Sequence, residues 1–292
     1  GGGGGFYSSG RSSKQFGGTM GTGGEGGKGF LQGGVGGRAN VNNVVGGFGG
    51  GAGAYGNGGG GGGGGGYSGG SSGDNVRDSC GGGGGSYNAG KNQQNECCYR
   101  SSGHGQLAAD TYNAFLTNLN ASGRFGPTTL GSHYTGQDHD GQVTMSSGIQ
   151  QWTVPYTGNY RIEAIGAVGG YDVHTNSALG RGRGARMIGT FSLNKSEVIQ
   201  ILIGQEEGIN KESYSSGGGG GTFVVIGANK YLIIAGGRGG INYLGSRHSV
   251  CDAGNGSSGN RGYKSWTGGS NGHCAQEADT GRSAKWFISI CH

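Results

Sequence analysis

The stretch Gly46 to Gly70, GGFGGGAGAYGNGGGGGGGGGYSGG, constrains this chain more than any other. Its nine consecutive glycines, Gly58 to Gly66, carry no side chain, so only backbone N–H and C=O groups can hold them in place. Glycine also loses the most conformational freedom on ordering, roughly 0.5–1 kcal/mol per residue more than alanine. Two outcomes are physically sensible. The run stays a solvated coil, or several runs lie side by side as extended polyproline-II helices that donate to their neighbours. The second needs many runs in one chain, and they recur at Gly1 to Gly5, Gly17 to Gly37, Gly46 to Gly70, Gly81 to Gly85 and Gly217 to Gly221.

Of the 292 residues 80 are glycine and only 2 are proline, which excludes a collagen repeat. Hydrophobic residues cluster between Val143 and Ala235, enough for one core of roughly 100 residues. The net charge of +5, without a run of five like charges, gives little reason to expect nucleic acid as a partner. The six cysteines, Cys80, Cys97, Cys98, Cys251, Cys274 and Cys291, contain no C-x-x-C pair. Disulfides in an oxidising compartment therefore fit better than zinc or redox chemistry. The sequons at Asn120, Asn194 and Asn255 fit a secreted, glycosylated chain. There is neither a signal peptide nor an apolar run of membrane length, and a chain beginning GGGGGFYSSG reads as a fragment of something longer.

Five segments follow from the texture. Residues 1–105 are glycine-rich with aromatic punctuation at Phe6, Tyr7, Phe16, Phe30, Phe48, Tyr55, Tyr67 and Tyr87. These aromatics either plug the flanks of a polyglycine bundle or act as stickers of a disordered segment. Residues 106–122 form a linker in which Leu107, Tyr112, Phe115, Leu116 and Leu119 at helical spacing predict one short amphipathic helix. Residues 123–240 hold seven candidate strands, Val143–Met145, Ile149–Val154, Asn159–Val168, Ala185–Leu193, Glu197–Ile203, Thr222–Ile226 and Tyr231–Ala235. Short links at Asn194-Lys195-Ser196 and Gly227 to Lys230 suit antiparallel hairpins. Many strands without intervening helices predict a mainly β, two-sheet sandwich or jelly roll. The unbroken apolar runs Ile201 to Ile203 and Leu232 to Ile234 mark central strands. Residues 241–282 return to glycine-rich loops, where Cys251 and Cys274 are the candidate disulfide pair, and 283–292, SAKWFISICH, is an atypical tail.

Chemistry-bearing motifs are few. No P-loop lysine, H-R-D or D-F-G tripeptide occurs, which argues against phosphoryl transfer, and no cofactor is expected. His133, Asp138, His139 and Asp140 have the residue types of a metal site, yet flanking Gly136 and Gly141 favour a polar turn. The cluster Arg181, Arg183 and Arg186 reads as a solvated loop tip, or as a patch meeting an acidic partner or glycosaminoglycan. Arg238 alone sits in an Arg-Gly-Gly triplet, few for an RNA binder of that type. Trp152 is expected in the core.

The order GIQQWTVPYTGNYRIEAIGAVGG, IGTFSLNKSEVIQILIGQ, GGGGGTFVV and YLIIAGGRGG resembles the glycine-rich extracellular domain of the anaplastic lymphoma kinase and leukocyte tyrosine kinase receptor family. The resemblance implies a tumour-necrosis-factor-like jelly roll packed on polyproline-II-type polyglycine helices, outside the cell, receiving a protein ligand. One departure stands out: here the polyglycine part precedes the strand-rich part. A cut from a tandem array or a circular permutation accounts for that order. The expected function is a non-catalytic extracellular interaction module. A self-associating glycine-rich matrix or mucus protein is the alternative, and an Arg-Gly-Gly RNA binder the third.

Overall fold

The structure is a computed structural model that describes residues 1–19, 21–97, 103–109, 114–173, 183–243 and 248–275. The strands, in chain order, are β1 Ser79–Cys80, β2 Tyr87–Asn88, β3 Lys91–Glu96, β4 Gln106–Ala109, β5 Ala114–Leu116, β6 Val143–Ser146, β7 Ile149–Thr153 and β8 Gly158–Ile165. They continue as β9 Tyr171–Asp172, β10 Arg186–Leu193, β11 Val198–Leu202, β12 Ile209–Asn210, β13 Thr222–Ile226, β14 Lys230–Ala235 and β15 Ile241–Asn242. The fold is mainly β. A five-stranded antiparallel sheet has the order β3-β10-β8-β4-β5, and a six-stranded antiparallel sheet the order β2-β14-β13-β11-β7-β6. All seven strands expected from the pattern are present, with ends shifted by a few residues.

Alternation along the strands sorts their side chains into two cores. Tyr160, Ile162 and Ala164 of β8 and Met187, Phe191 and Leu193 of β10 pack against Trp152, Ile199, Ile201, Val224 and Ile233 from the six-stranded sheet. The opposite face of that second sheet carries Leu202, Phe223, Val225 and Ile234, and it is equally buried. The apolar runs through β11 and β14 lack a polar break for this reason: both faces of these strands are covered.

What covers the second face is the glycine-rich part of the chain. Phe6, Phe30, Phe48 and Tyr67 project from it onto Leu202, Phe223, Val225 and Ile234. The ring of Phe30 lies 5.1 Å from that of Phe223 and 5.2 Å from that of Phe6. Four of the aromatics that punctuate residues 1–105 thus serve as the apolar underside of a layer that otherwise buries few large side chains.

The glycine layer is held by main-chain hydrogen bonds between separate runs, arranged around residues 61–67. The N–H groups of Gly62 and Gly65 donate to Ser216 and Gly219, those of Gly63 and Gly66 to Gly1 and Gly4, and those of Gly64 and Tyr67 to Gly82 and Gly85. Each third residue therefore faces the same neighbour, three residues further along it. The carbonyls are used in the same way. Gly73 and Gly70 donate to Gly61 and Gly64, Gly240 and Gly237 donate to Gly62 and Gly65, and Ala52 donates to Gly63. Six segments enclose one run, and its buried polar groups find partners. Such close approach leaves no room for a Cβ: one added at Gly64 would sit 2.1 Å from the Gly237 carbonyl oxygen.

Three expectations are corrected. The described parts of the 106–122 segment, 106–109 and 114–122, are not helical; β4 and β5 pair antiparallel, and β4 completes the sheet beside β8. In these strands Leu107, Ala109, Ala114 and Leu116 are buried while Gln106 and Phe115 are exposed, a period of two. The open edge of β8 offers ladder hydrogen bonds, which outweigh a weak local helix preference; Tyr112 lies outside the described residues. Second, the Asn194-Lys195-Ser196 link is not a hairpin, because β10 and β11 belong to different sheets and the link crosses between them. Gly227 to Lys230 does join the hairpin of β13 and β14. Third, Cys251 is bonded to Cys80, not to Cys274. Pairing of β1 with β15 and a Tyr263 N–H donated to the Cys80 sulfur bring these distant segments together, and Cys274 is disulfide-bonded separately. The expected tail at 283–292 lies outside the described residues.

Gly64→Ala should destabilise the chain by about 1–3 kcal/mol or more, since backbone cannot rotate away as a side chain can. Gly208→Ala, where an added Cβ meets nothing within 4 Å, should leave the melting midpoint unchanged in the same thermal scan. The double variant Cys80→Ser, Cys251→Ser should lose about 2–5 kcal/mol in urea denaturation.

Candidate functional site

Where the glycine layer meets the hairpin of β13 and β14, four tyrosines converge. Tyr7 follows the first glycine run, Tyr67 follows the central one, Tyr87 opens β2 and Tyr231 lies in β14. The Tyr7 hydroxyl donates to that of Tyr231 at 3.4 Å, and the Tyr67 and Tyr231 hydroxyls are 3.2 Å apart. The Tyr231 ring is 4.5 Å from Tyr87, 5.1 Å from Tyr67 and 6.3 Å from Tyr7. Hydrogen bonding between the phenols raises the pKa of Tyr7 and, chiefly through Tyr67, that of Tyr231.

Tyr7, Tyr87 and Tyr231 line one wall of an open surface groove of about 700 Å³ with Ala89, Ile226, Asn229 and Lys230, and Tyr67 is buried behind them. A second hollow of about 340 Å³ shares Ala89, Ile226 and Lys230 and extends past Lys91, Asn92 and Asn159. Aromatic rings, amides and two lysines on one concave strip can stack on, hydrogen-bond and attract an acidic or polar partner.

The residues singled out from the sequence are placed differently. Asp138, Asp140 and His133 are exposed on the turn before β6, and Asp140 accepts the Gly136 N–H. His139 is fully buried with its ring 4.5 Å from that of Tyr134, and burial lowers its pKa. Among the described residues no group of three His, Cys, Asp or Glu side chains is placed to hold a metal ion. Arg181 lies outside the described residues. Arg183 donates its backbone N–H to Asp252, and Arg186 forms a forked pair with Glu163 at 2.7 and 3.1 Å, with Glu96 3.5 Å away. The arginines therefore brace the structure at two different places. Arg238 of the Arg-Gly-Gly triplet is fully buried 3.9 Å from Asp252. Asn120, Asn194 and Asn255 are exposed. Trp152 is in the core, as expected, and donates its indole N–H to Gln142.

Sequence reasoning missed Glu207. Its carboxylate is buried inside the glycine layer and accepts the Gly217 N–H at 2.6 Å. Burial pushes its pKa well above the usual carboxylate range, with the Gly217 bond opposing. Nothing in the local sequence QEEGIN distinguishes it from the exposed acids.

No known family profile matches the chain. Over 93 residues it is 39% identical to the leukocyte tyrosine kinase receptor of Mus musculus, a match covering 30% of this chain and 10% of the receptor's length. This supports a distant relationship to a receptor tyrosine kinase. Among the described residues no helix is long and apolar enough to cross a membrane.

Because the folded state retains the Glu207 proton above the pH at which the unfolded chain releases it, this residue subtracts stability as pH rises beyond the ordinary carboxylate range. Glu207→Gln keeps an acceptor for Gly217 and cannot ionise. The variant should melt above the unchanged chain at pH 8 and close to it at pH 4, read by thermal scans at both values.

Proposed function

We propose that this chain is a non-catalytic extracellular interaction module of a receptor-like protein, with the tyrosine-lined groove and neighbouring loops as its contact surface. The observation that carries the reading is the 93-residue match to a receptor tyrosine kinase. The Cys80–Cys251 disulfide and the exposed sequon asparagines are compatible with an extracellular location. In this reading the two large sheets form a tumour-necrosis-factor-like jelly roll and the glycine runs are polyproline-II-type helices. The three-residue step of their hydrogen bonds supports the latter, since polyproline II has three residues per turn. The partner is a protein ligand, with a glycosaminoglycan as a further acidic candidate for the lysine-bearing end. Kinase activity, if the parent gene encodes it, belongs to a domain outside this chain.

A secreted, self-associating matrix protein is the second reading, favoured by 80 glycines in 292 residues. Arg238, buried as it is, offers nothing to an RNA partner.

Sequencing the complete transcript separates the two. The receptor reading expects a membrane-spanning segment followed by H-R-D and D-F-G; a reading frame that closes without them favours the matrix protein. Hydrogen exchange on the whole chain should place Gly62 to Gly66 among its slowest amides, and uniformly fast exchange there would remove the packed-helix reading.

A further inference from the structure

We propose that Tyr7 and Tyr231 form an oxidative cross-linking site, at which a peroxidase-type one-electron oxidant joins the two phenol rings through an ortho carbon–carbon bond. This goes beyond the interaction-module reading and holds for a receptor or a matrix protein alike.

The geometry supplies what radical coupling needs. Two phenols separated by 224 positions in sequence hold their oxygens 3.4 Å apart and their ring centroids 6.3 Å apart, edge to face, so a turn of one ring about its side-chain bonds is what ortho coupling requires. Tyr7 is 37% exposed, and both rings line the open groove, so an oxidant at the surface reaches them. Tyr67 is nearer still to Tyr231, with hydroxyls 3.2 Å and ring centroids 5.1 Å apart, but it is 8% exposed and does not line the groove, so a surface oxidant reaches it last. Phe6, packed 4.9 Å from the Tyr231 ring, holds that ring in place without itself being able to form a phenoxyl radical.

The chemistry balances as follows. Each phenol gives one electron to the oxidant and its hydroxyl proton to water, leaving two phenoxyl radicals with spin at the ortho carbons. These carbons combine in one new bond. Their two hydrogens then move to the ring oxygens, restoring both hydroxyls and both aromatic rings. The two electrons and two protons released reduce one hydrogen peroxide to two waters. The product ties the end of the first glycine run to the hairpin of β13 and β14, across the boundary between glycine layer and sheet. A link closing so long a loop restricts the unfolded chain.

The test treats the whole folded chain, at low concentration, with a peroxidase and hydrogen peroxide. The expected product is a monomer lighter by two hydrogens, yielding on digestion a Tyr7 peptide joined to a Tyr231 peptide, and melting at a higher temperature. Tyr231→Phe and Tyr7→Phe, which keep the packed ring, should each abolish that joined peptide. Tyr156→Phe, at a side chain 61% exposed elsewhere, should leave its yield unchanged. The same treatment in urea should lower the yield several-fold. Links formed only between molecules, links dominated by Tyr156, or an equal yield in urea would each overturn the proposal. Should one phenylalanine variant fail to fold, the other and the urea comparison still decide.

Discussion

The whole structure depends on backbone groups approaching one another more closely than any side chain permits. A layer of buried amides is costly unless its N–H and C=O groups are paired, and residues 61–67 meet that demand by bonding in turn to six different segments. From Gly61 to Gly66 only glycine fits, because a Cβ added at any of them would sit 2.0–2.4 Å from a carbonyl oxygen of another residue. The long runs are therefore a packing requirement, comparable to the apolar residues of an ordinary core, and their entropy cost is offset by contacts on every side.

This layer in turn decides the character of the middle sheet. With Phe6, Phe30, Phe48 and Tyr67 pressing on Leu202, Phe223, Val225 and Ile234, the six-stranded sheet is buried on both faces. The chain thus stacks three layers: five strands, six strands and glycine. Segments from both ends of the sequence contribute, for β2 and β3 enter the two sheets while Gly217 to Gly219 and Gly237 to Gly240 enter the glycine layer. Polyglycine-rich and strand-rich parts of the chain complete one another.

The candidate surface lies along the boundary of these layers. Its tyrosines come from four separate stretches, and only the folding of glycine runs against β14 brings their hydroxyls together. Aromatic punctuation in the sequence was the available signal for Phe6, Tyr7, Phe30, Phe48, Tyr67 and Tyr87, and it left open whether they flank a packed layer or punctuate a disordered one. It carried no information about Tyr231, which reads as one more strand residue. The histidine–aspartate stretch lies on the polar turn that its flanking glycines favour, with His139 alone turned inward against Tyr134. Of the arginines, Arg186 is spent on Glu163, a partner its own neighbours in sequence do not announce.

Local pattern by itself determined the seven main strands, the β13–β14 hairpin and the need for the glycine runs to pair or stay solvated. It did so because alternation and the absence of side chains are properties of neighbouring residues. Tertiary structure alone decided that residues 106–109 extend as a strand beside β8, that the 194–196 link changes sheets, that Cys251 bonds to Cys80, and that Glu207 is enclosed among glycines. The strand, the link and the disulfide are fixed by partners far along the chain, an open sheet edge, a second core and a facing thiol, which no window of nearby residues contains. Glu207 bonds to Gly217, ten residues on, but its burial depends on the surrounding glycine layer.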